Sequence, residues 1–260
     1  MELKWTACAM TDQGLRRQEN QDEPVFSPDE GLFAVSDGMG GIAYGKRTAI
    51  LVSTMMKSLA QQLQTLQEGP EALMEGLCQG ICDISDNIQR LGNPIGLQPS
   101  YGATLTGFLL REDRAVIFNV GDSRVYRLRQ GSERLERMTK DHSVVQILID
   151  SGDLTPEEAR AFPGRSTITQ FMGMHPTVVP QLLVESLAPG DRYLVCSDGL
   201  HGMVSDSAIR LILEQDLPPQ ELCRQLIAAA NEAGGEDNIT VVVWQALGEE
   251  PILTGEEADG

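Results

Sequence analysis

Four aspartates of this chain stand where a short apolar run borders glycine or another small polar residue: Asp37, Asp122, Asp198 and Asp237. Each apolar run has the composition of a strand, so each aspartate would lie at a strand end. Carboxylates, backbone carbonyls and water are the ligands that hard cations such as Mg²⁺ and Mn²⁺ prefer. Converging strand ends could hold two such ions about 3.5–4 Å apart, with a water between them activated for hydrolysis.

A single Asp-Gly pair has a simpler interpretation. Asp-Gly after a strand is a common hairpin turn, because glycine accepts the positive φ that such turns require. The segment Asp37–Gly41 is harder to explain as a turn, since its three glycines let the backbone approach a neighbour closely and aim its carbonyls. The sequence Ser-Asp-Gly also occurs twice, at 36–38 and 197–199. For each pair alone both interpretations stay open, and the recurrence favours the metal site.

Arg17 lies in a segment, Thr11–Asp22, that has no strong periodicity and is predicted to be a loop after the first strand. A guanidinium in such a loop could bind a phosphate through two parallel hydrogen bonds. Surface arginines are common, so this residue by itself is weak evidence.

The elements that must position these residues follow from hydrophobic periodicity. Short apolar runs predict strands at Leu3–Met10, Leu32–Ser36, Ala103–Leu110, Ala115–Asn119, Val125–Arg129, Tyr193–Cys196 and Ile239–Gln245. Three-to-four spacing predicts helices through Val52–Leu66, Leu73–Leu91, Ile209–Leu213 and Leu222–Ile227. Thr155–Glu158 has the capping-box pair and the proline of a helix start. Strands in succession with short connections favour an antiparallel meander over a doubly wound parallel sheet, so we predict an α+β fold of antiparallel sheets covered by helices.

Composition narrows the class of protein. The 260 residues include 41% hydrophobic and 22% charged residues, which suits a globular domain with a proper core. No apolar run reaches the roughly 18 residues that cross a bilayer, and no signal peptide precedes the first strand, so we expect a cytoplasmic protein with no membrane partner. The formal net charge of −18 argues against nucleic acid as a partner, because phosphate backbones bind basic surfaces. We predict one domain, 1–247, followed by a flexible acidic tail, 248–260.

The cysteines and histidines have ordinary interpretations. Five cysteines without a CxxC pair predict buried thiols in a reducing compartment and no zinc site. We expect His142 to be a structural hydrogen bonder, and His175 and His201 to be surface or loop residues.

Seven motifs, in this order, resemble the metal-dependent protein phosphatases of the PPM family, phosphatase type 2C, in their short bacterial form. The resemblance runs from about Trp5 to Trp244. The motifs are Gly14-x-x-Arg17-x-x-Asn20-x-Asp22, Asp37-Gly38-Met39-Gly40-Gly41, Gly102-Ala103-Thr104, Asn119-Val120-Gly121-Asp122-Ser123-Arg124, Thr139-x-Asp141-His142-Ser143, Ser197-Asp198-Gly199-Leu200 and Glu236-Asp237-Asn238-Ile239-Thr240.

The resemblance implies a set of metal ligands for Mn²⁺ or Mg²⁺. Asp37 would bridge two catalytic ions, and the Gly38 carbonyl would bind the first. Asp198 and Asp237 would bind the second, and Asp122 with Asp198 would hold a possible third. The nucleophile would be a metal-bound water held by Asp37, so no phospho-enzyme is needed.

Further roles follow from the same resemblance. Asp22 and Asn238 would act mainly through bound waters, and Arg17 would grip the substrate phosphate. Gln21 stands where relatives usually carry glutamate, which is expected to loosen the outer shell of one metal. Met39 stands where many eukaryotic members carry a histidine that protonates the leaving alcohol, so the general acid stays unassigned, with a metal-bound water as our candidate.

The implied fold is two packed antiparallel sheets flanked by helices, with a flap subdomain at about 143–178 that tunes substrate access. The implied function is hydrolysis of phosphoserine and phosphothreonine on proteins, opposing a Ser/Thr kinase, and we expect a monomer. Three alternatives stay open: a pseudophosphatase that only binds phosphoproteins, a hydrolase of small phosphate esters, and an enzyme dedicated to one small binding protein. The presence of every metal-site aspartate argues against the first.

Overall fold

Eleven strands and seven α-helices make up the part of the chain that the computed structural model describes, residues 3–40, 44–65, 69–92 and 101–247. The strands are β1 (Trp5–Asp12), β2 (Asp22–Ser27), β3 (Leu32–Met39), β4 (Gly102–Ala103), β5 (Leu105–Arg111), β6 (Arg114–Val120), β7 (Arg124–Leu128), β8 (Leu135–Arg137), β9 (Gln181–Ser186), β10 (Arg192–Cys196) and β11 (Ile239–Ala246). The helices are α1 (Gly45–Gln64), α2 (Pro70–Gly92), α3 (Val144–Ser151), α4 (Pro156–Arg160), α5 (Asp198–His201), α6 (Asp206–Leu213) and α7 (Pro219–Glu232).

The strands form two sheets in which every pairing is antiparallel. One sheet has the order β1-β11-β10-β7-β8, and the other has the order β2-β3-β5-β6-β9, with β4 added beside β3. The predicted meander is present as β5-β6, while β7 lies in the other sheet. The antiparallel α+β prediction is confirmed.

The two sheets pack face to face, and helices cover both outer faces. Side chains alternate along each central strand, so Val241 and Val243 of β11 face α7 while Val242 and Trp244 face the opposite sheet. Both faces are buried, which explains why β11 is an almost continuous apolar run. The result is the four-layer arrangement of helix, sheet, sheet and helix that the resemblance implies.

The predicted helical stripes pack on the sheet that contains β3. Val52, Met56 and Leu63 of α1 are buried against this sheet, and Leu77 and Ile81 of α2 complete the layer. On the other side of the molecule, α6 and α7 cover the sheet that contains β11. These four helices are the ones that periodicity predicted.

Three strands were missed, and all three lie at sheet edges: β2, β8 and β9. Edge strands face water on one side, so they carry more polar residues and lack the long apolar run of a central strand. Pro24 in β2 is tolerated because an edge strand does not need all of its N–H groups for pairing. The prediction also missed α3 and the four-residue α5, and it placed β1 two residues too early.

Residues 143–178 contain α3 and α4, and α4 begins with the predicted capping box of Thr155 and Glu158. That this stretch forms a flap, and that the domain ends at 247, stay predictions, and the predicted tail lies outside the described residues.

All five cysteines are free thiols, of which Cys196 and Cys223 are buried and the other three half-buried. No helix within the described ranges has the length and apolar character to cross a membrane.

Candidate metal centre

One edge of the sandwich collects the predicted aspartates. β2 begins where β3 ends, and in their antiparallel register Asp22 lies opposite Asp37. In the other sheet β10 ends beside the start of β11, which brings Asp198 and Asp237 to the same edge. Asp122 lies two residues after the end of β6, and burial and the charge of Asp198 raise the pKa of its carboxyl group. The structure therefore brings all four predicted metal-site aspartates together, with Asp22 among them.

A hydroxyl joins the two sheets at this edge. Ser197 Oγ donates to Asp22 Oδ2 at 2.7 Å and accepts from the Thr240 N–H at 3.0 Å, and both Asp22 and Ser197 are buried. Ser197 directly precedes Asp198, so this contact sets the distance between the carboxylates of the two sheets. Sequence reasoning assigned Ser197 no role, although its place in the repeated Ser-Asp-Gly was visible.

A second buried hydroxyl holds Asp37. Thr104 Oγ1 accepts from the Asp37 N–H at 2.9 Å, and the Thr104 N–H donates to the Asp37 carbonyl at 2.8 Å. The same hydroxyl hydrogen-bonds Ser123 Oγ at 2.9 Å, so the backbone of Asp37 is linked to the loop that carries Asp122. Thr104 belongs to one of the quoted motifs, but only the fold reveals what it contacts.

The two Ser-Asp-Gly sequences share a steric requirement that is different from a turn. Neither Gly38 nor Gly199 has a positive φ, so the hairpin interpretation is wrong for both. A Cβ on Gly38 would lie 2.2 Å from the Gly45 carbonyl oxygen, and one on Gly199 would lie 2.0 Å from that of Asn238. Each glycine therefore permits a close backbone approach, as the glycine-rich segment after Asp37 had suggested.

The carboxylates repel one another and are costly to ionise. Burial and the charge of Asp198 raise the pKa of Asp22 to about 7, and burial with the charge of Asp237 raises that of Asp198 to about 6. Burial and neighbouring carboxylates hold the pKa values of Asp37 and Asp122 well above their usual range. Such a cluster attracts cations, which would stabilise the ionised form.

Three carboxylate oxygens of the cluster are buried without a hydrogen-bond partner: Asp22 Oδ1, Asp122 Oδ1 and Asp198 Oδ1. Buried polar atoms are almost always paired, so unpaired acceptors at one site fit a cation as their missing partner. Within the described ranges, no three His, Cys, Asp or Glu side chains are grouped so that they could hold one ion by themselves. Carbonyl and water oxygens would complete each position, which suits Mg²⁺ or Mn²⁺ better than zinc.

Arg17 reaches the cluster from its loop. Its Nη2 donates to Asp237 Oδ2 at 2.5 Å, and about half of its side chain, 54%, stays exposed. Partial burial opposes the charge, but the hydrogen bond to Asp237 and the carboxylates of Asp198 and Asp37 raise the pKa of the guanidinium. The loop thus presents a permanent positive charge at the open side of the carboxylates.

The predicted outer residues Asn238 and Gln21 hold that loop in place. The Asn238 amide donates to the carbonyls of Gln13 and Glu19 at 2.9 and 3.0 Å, and its oxygen accepts from the Gln21 N–H at 2.8 Å. The Gln21 carbonyl in turn accepts from the Gly38 N–H at 3.3 Å. Action of Asn238 and Asp22 through bound waters, and a loosening effect of Gln21, stay predictions.

Two of the three histidines have the environments that the sequence predicted, and His201 does not. His142 is the predicted structural hydrogen bonder, since its Nδ1 accepts from the Gly121 N–H at 3.3 Å, and His175 is an exposed loop residue. The prediction for His201 is wrong, because it ends α5, is half-buried and lies 3.0 Å from the Asp122 carbonyl oxygen through Nε2. Burial and nearby Arg124 lower the pKa of His201 to about 3, so the ring is neutral.

A cleft of about 540 Å³ opens beside Asp122 and Asp198. Its lining also includes Val145 and Ile149 of α3 and Ala159 of α4, within the stretch predicted to be a flap. The cleft therefore borders both carboxylates and the stretch predicted to be a flap.

Comparison with known proteins agrees with this geometry. The family model described as Protein phosphatase 2C matches residues 13–238. Serine/threonine protein phosphatase PstP of Mycobacterium tuberculosis is 36% identical over an alignment of 262 positions, and the match covers 95% of this chain and 47% of PstP. Protein phosphatase PhpP of Streptococcus pneumoniae is 33% identical over 239 residues, which cover 90% of this chain and 94% of PhpP. The chain thus spans about half the length of PstP and nearly all of PhpP.

The solved structures include the catalytic domain of PstP in complex with two manganese ions. It superposes with a TM-score of 0.80 at 34% identity, and the match covers 94% of this chain and 98% of that domain.

Proposed function

This chain belongs to the protein phosphatase 2C family, and on that premise we propose that it hydrolyses phosphoserine and phosphothreonine esters of proteins with the help of Mn²⁺ or Mg²⁺. The observation that carries the proposal is the set of buried, mutually repelling carboxylates whose unpaired oxygens fit cations. The manganese ions in the PstP catalytic domain support the choice of metal.

The proposed ligands are Asp37 and the Gly38 carbonyl for the first ion, with Asp37, Asp198 and Asp237 for the second. Asp122 and Asp198 would share a third. Held by these residues, Mn²⁺ or Mg²⁺ would provide a water of lowered pKa as the nucleophile and would neutralise charge that develops on the phosphoryl oxygens.

The side chains of this protein would then orient the phosphate ester and hold the metal-binding carboxylates in place. Arg17 would release Asp237 and bind two phosphoryl oxygens through its planar guanidinium, which holds the ester in line with the nucleophile. Thr104 and Ser197 would keep the carboxylates from moving apart, because each is anchored by backbone hydrogen bonds in a buried setting. The α3–α4 stretch would act as the flap beside the substrate passage.

Phosphorylated proteins are the proposed substrates, and a Ser/Thr kinase that acts on them is the proposed antagonist. A cytoplasmic, monomeric enzyme remains part of this proposal. The pseudophosphatase alternative predicts phosphopeptide binding without turnover, and the small-ester alternative predicts that remote peptide contacts add nothing to kcat/KM.

The test is phosphate release from a phosphothreonine peptide and from p-nitrophenyl phosphate, with Mn²⁺ and with EDTA. We expect metal-dependent turnover and a higher kcat/KM for the peptide. Asp198→Asn should lower kcat/KM by more than about 100-fold, since a change in the surroundings of a metal ligand alone costs about 10–100-fold.

Asp113→Asn is the matched control, because its side chain is 70% exposed in the turn between β5 and β6, outside the carboxylate cluster. Full activity of Asp198→Asn would contradict the ligand assignment. If the protein binds the peptide but does not hydrolyse it with any divalent metal, the pseudophosphatase alternative would be correct.

A further inference from the structure

One hydrogen bond ties together the two segments that carry Asp122 and Asp198. His201 Nε2 lies 3.0 Å from the Asp122 carbonyl oxygen. A carbonyl only accepts, so Nε2 carries the proton and donates it. His201 is the last residue of α5 and Asp198 is the first, so the bond connects the Asp198 helix to the Asp122 loop.

Both ends of this connection are held rigidly. On one side, the His142 N–H donates to the Gly121 carbonyl at 2.8 Å, which fixes the loop before Asp122. On the other, the Gly202 N–H donates to the Asp198 carbonyl at 2.7 Å, and Leu200 is fully buried. A change at His201 would therefore alter the relation between two fixed segments.

The carboxylates on these segments have the unpaired, buried oxygens Asp122 Oδ1 and Asp198 Oδ1. Asp122, Asp198 and His201 line the same cleft. The affinity of a cation shared between these two carboxylates would depend on the distance between them, because a misplaced carboxylate binds metal more weakly.

We propose that His201 is a positioning residue that sets the separation of Asp122 and Asp198 and thereby the affinity of the cation they share. This inference rests on the proposed function in one respect, namely that these two carboxylates form a cation position. It adds a residue whose hydrogen bond is to the backbone carbonyl of Asp122 and not to either carboxylate.

The experiment is isothermal titration of metal-free protein with Mn²⁺, which reads binding without turnover. His201→Leu removes the donor and should weaken the weakest Mn²⁺ step by about 10-fold or more, as other losses behind a metal ligand do. His201→Gln keeps an N–H donor at similar reach and should bind Mn²⁺ like the wild type. His201→Asn keeps a polar amide but is too short to reach the carbonyl, so it should behave like His201→Leu.

Tyr126→Phe is the structural control. The Tyr126 hydroxyl hydrogen-bonds Arg124 and Asp206 at the rim of the same cleft, at 3.0 and 3.1 Å, but it does not join the two carboxylate segments. Its loss should lower the unfolding temperature without changing Mn²⁺ binding. Circular dichroism shows whether each variant folds, and the asparagine variant decides the question if the leucine variant does not fold.

Wild-type Mn²⁺ affinity in His201→Asn, or equal weakening in Tyr126→Phe, would overturn the inference. Asp122→Asn should abolish the same binding step, and an unchanged titration there would overturn both the cation position and the role of His201. If the wild type hydrolyses no phosphopeptide while the His201 variants still weaken Mn²⁺ binding as expected, the proposed function fails and the positioning role stands.

Discussion

Replacing Asp22 by asparagine should make the metal-free protein more stable, although it removes a buried hydrogen-bonded carboxylate. Asp22 is 1% exposed and lies opposite Asp37, with Ser197 as its hydroxyl donor. Asparagine has nearly the same shape, keeps an acceptor oxygen for Ser197 and has no charge to bury.

The magnitude follows from the pKa of Asp22. Burial, reinforced by the charge of Asp198, raises this pKa from 3.8 to about 7, although the hydroxyl groups of Ser197 and Thr240 favour the ionised form. A tenfold change in a proton equilibrium is worth about 1.4 kcal/mol, so ionised Asp22 costs the folded state about 4 kcal/mol. Removing the charge would therefore stabilise the folded state by about 4 kcal/mol. The hydrogen bond from Ser197 to a neutral amide is weaker than the one to a carboxylate, which offsets about 1 kcal/mol of this stabilisation. The variant should therefore be about 3 kcal/mol more stable at high pH.

The sign sets the pH window. The pKa of Asp22 is higher in the folded than in the unfolded protein. Its burial therefore causes no loss of stability below about pH 4, and the wild type loses about 4 kcal/mol as the pH rises through 7. At pH 8 in EDTA the asparagine variant should unfold about 6–12 °C above the wild type, and at pH 4 the two should nearly coincide. Thermal unfolding followed by circular dichroism at both pH values measures this difference.

Mn²⁺ should make the wild type more stable than the Asp22→Asn variant, which is the reverse of the order in EDTA. A bound cation stabilises the ionised wild-type cluster, so the unfolding temperature of the wild type should rise with Mn²⁺ more at pH 8 than at pH 5. Asp141→Asn is the control of opposite sign, because Arg124 holds the pKa of Asp141 below its usual value despite burial, and the loss of this pair should destabilise the protein at pH 8. A variant at position 22 that is less stable than the wild type at pH 8 in EDTA would refute the reasoning.

Two further predictions concern the phosphate and the backbone. Arg17→Ala should raise KM for a phosphothreonine peptide about 10-fold or more with a smaller change in kcat, since hydrogen bonds to charged groups contribute about 1.5–3 kcal/mol, and Arg17→Lys should restore only part of the loss because lysine is a point charge. A wild-type KM in Arg17→Ala would count against the assignment. Gly199→Ala should lower the free energy of unfolding by about 1–3 kcal/mol, because its Cβ would lie 2.0 Å from a backbone oxygen, whereas the nearest atom at Gly69 is 3.5 Å away. Urea denaturation of Gly199→Ala and Gly69→Ala measures both, and equal stability would contradict the steric argument.

Much of the fold could be predicted because central strands and long helices leave local signatures. A strand buried on both faces, such as β11, is an apolar run, and a helix buried on one face, such as α1, has a three-to-four stripe. The edge strands β2 and β9 leave no such signature, since water replaces a neighbouring strand on one side. Pairing order was equally out of reach, because β1 joins β11 from the far end of the chain.

The residue types and their spacing indicated the chemistry available to this protein. Aspartates at strand ends, a glycine-rich segment and a loop arginine favour hard cations and an anionic substrate, because residue type restricts which ligands are possible. Which of these residues contact one another is visible only in the folded protein. The contacts of Ser197 with Asp22, Arg17 with Asp237 and His201 with Asp122 join positions 79 to 220 residues apart. Such contacts depend on how the two sheets stack, and no local pattern in the chain records that stacking.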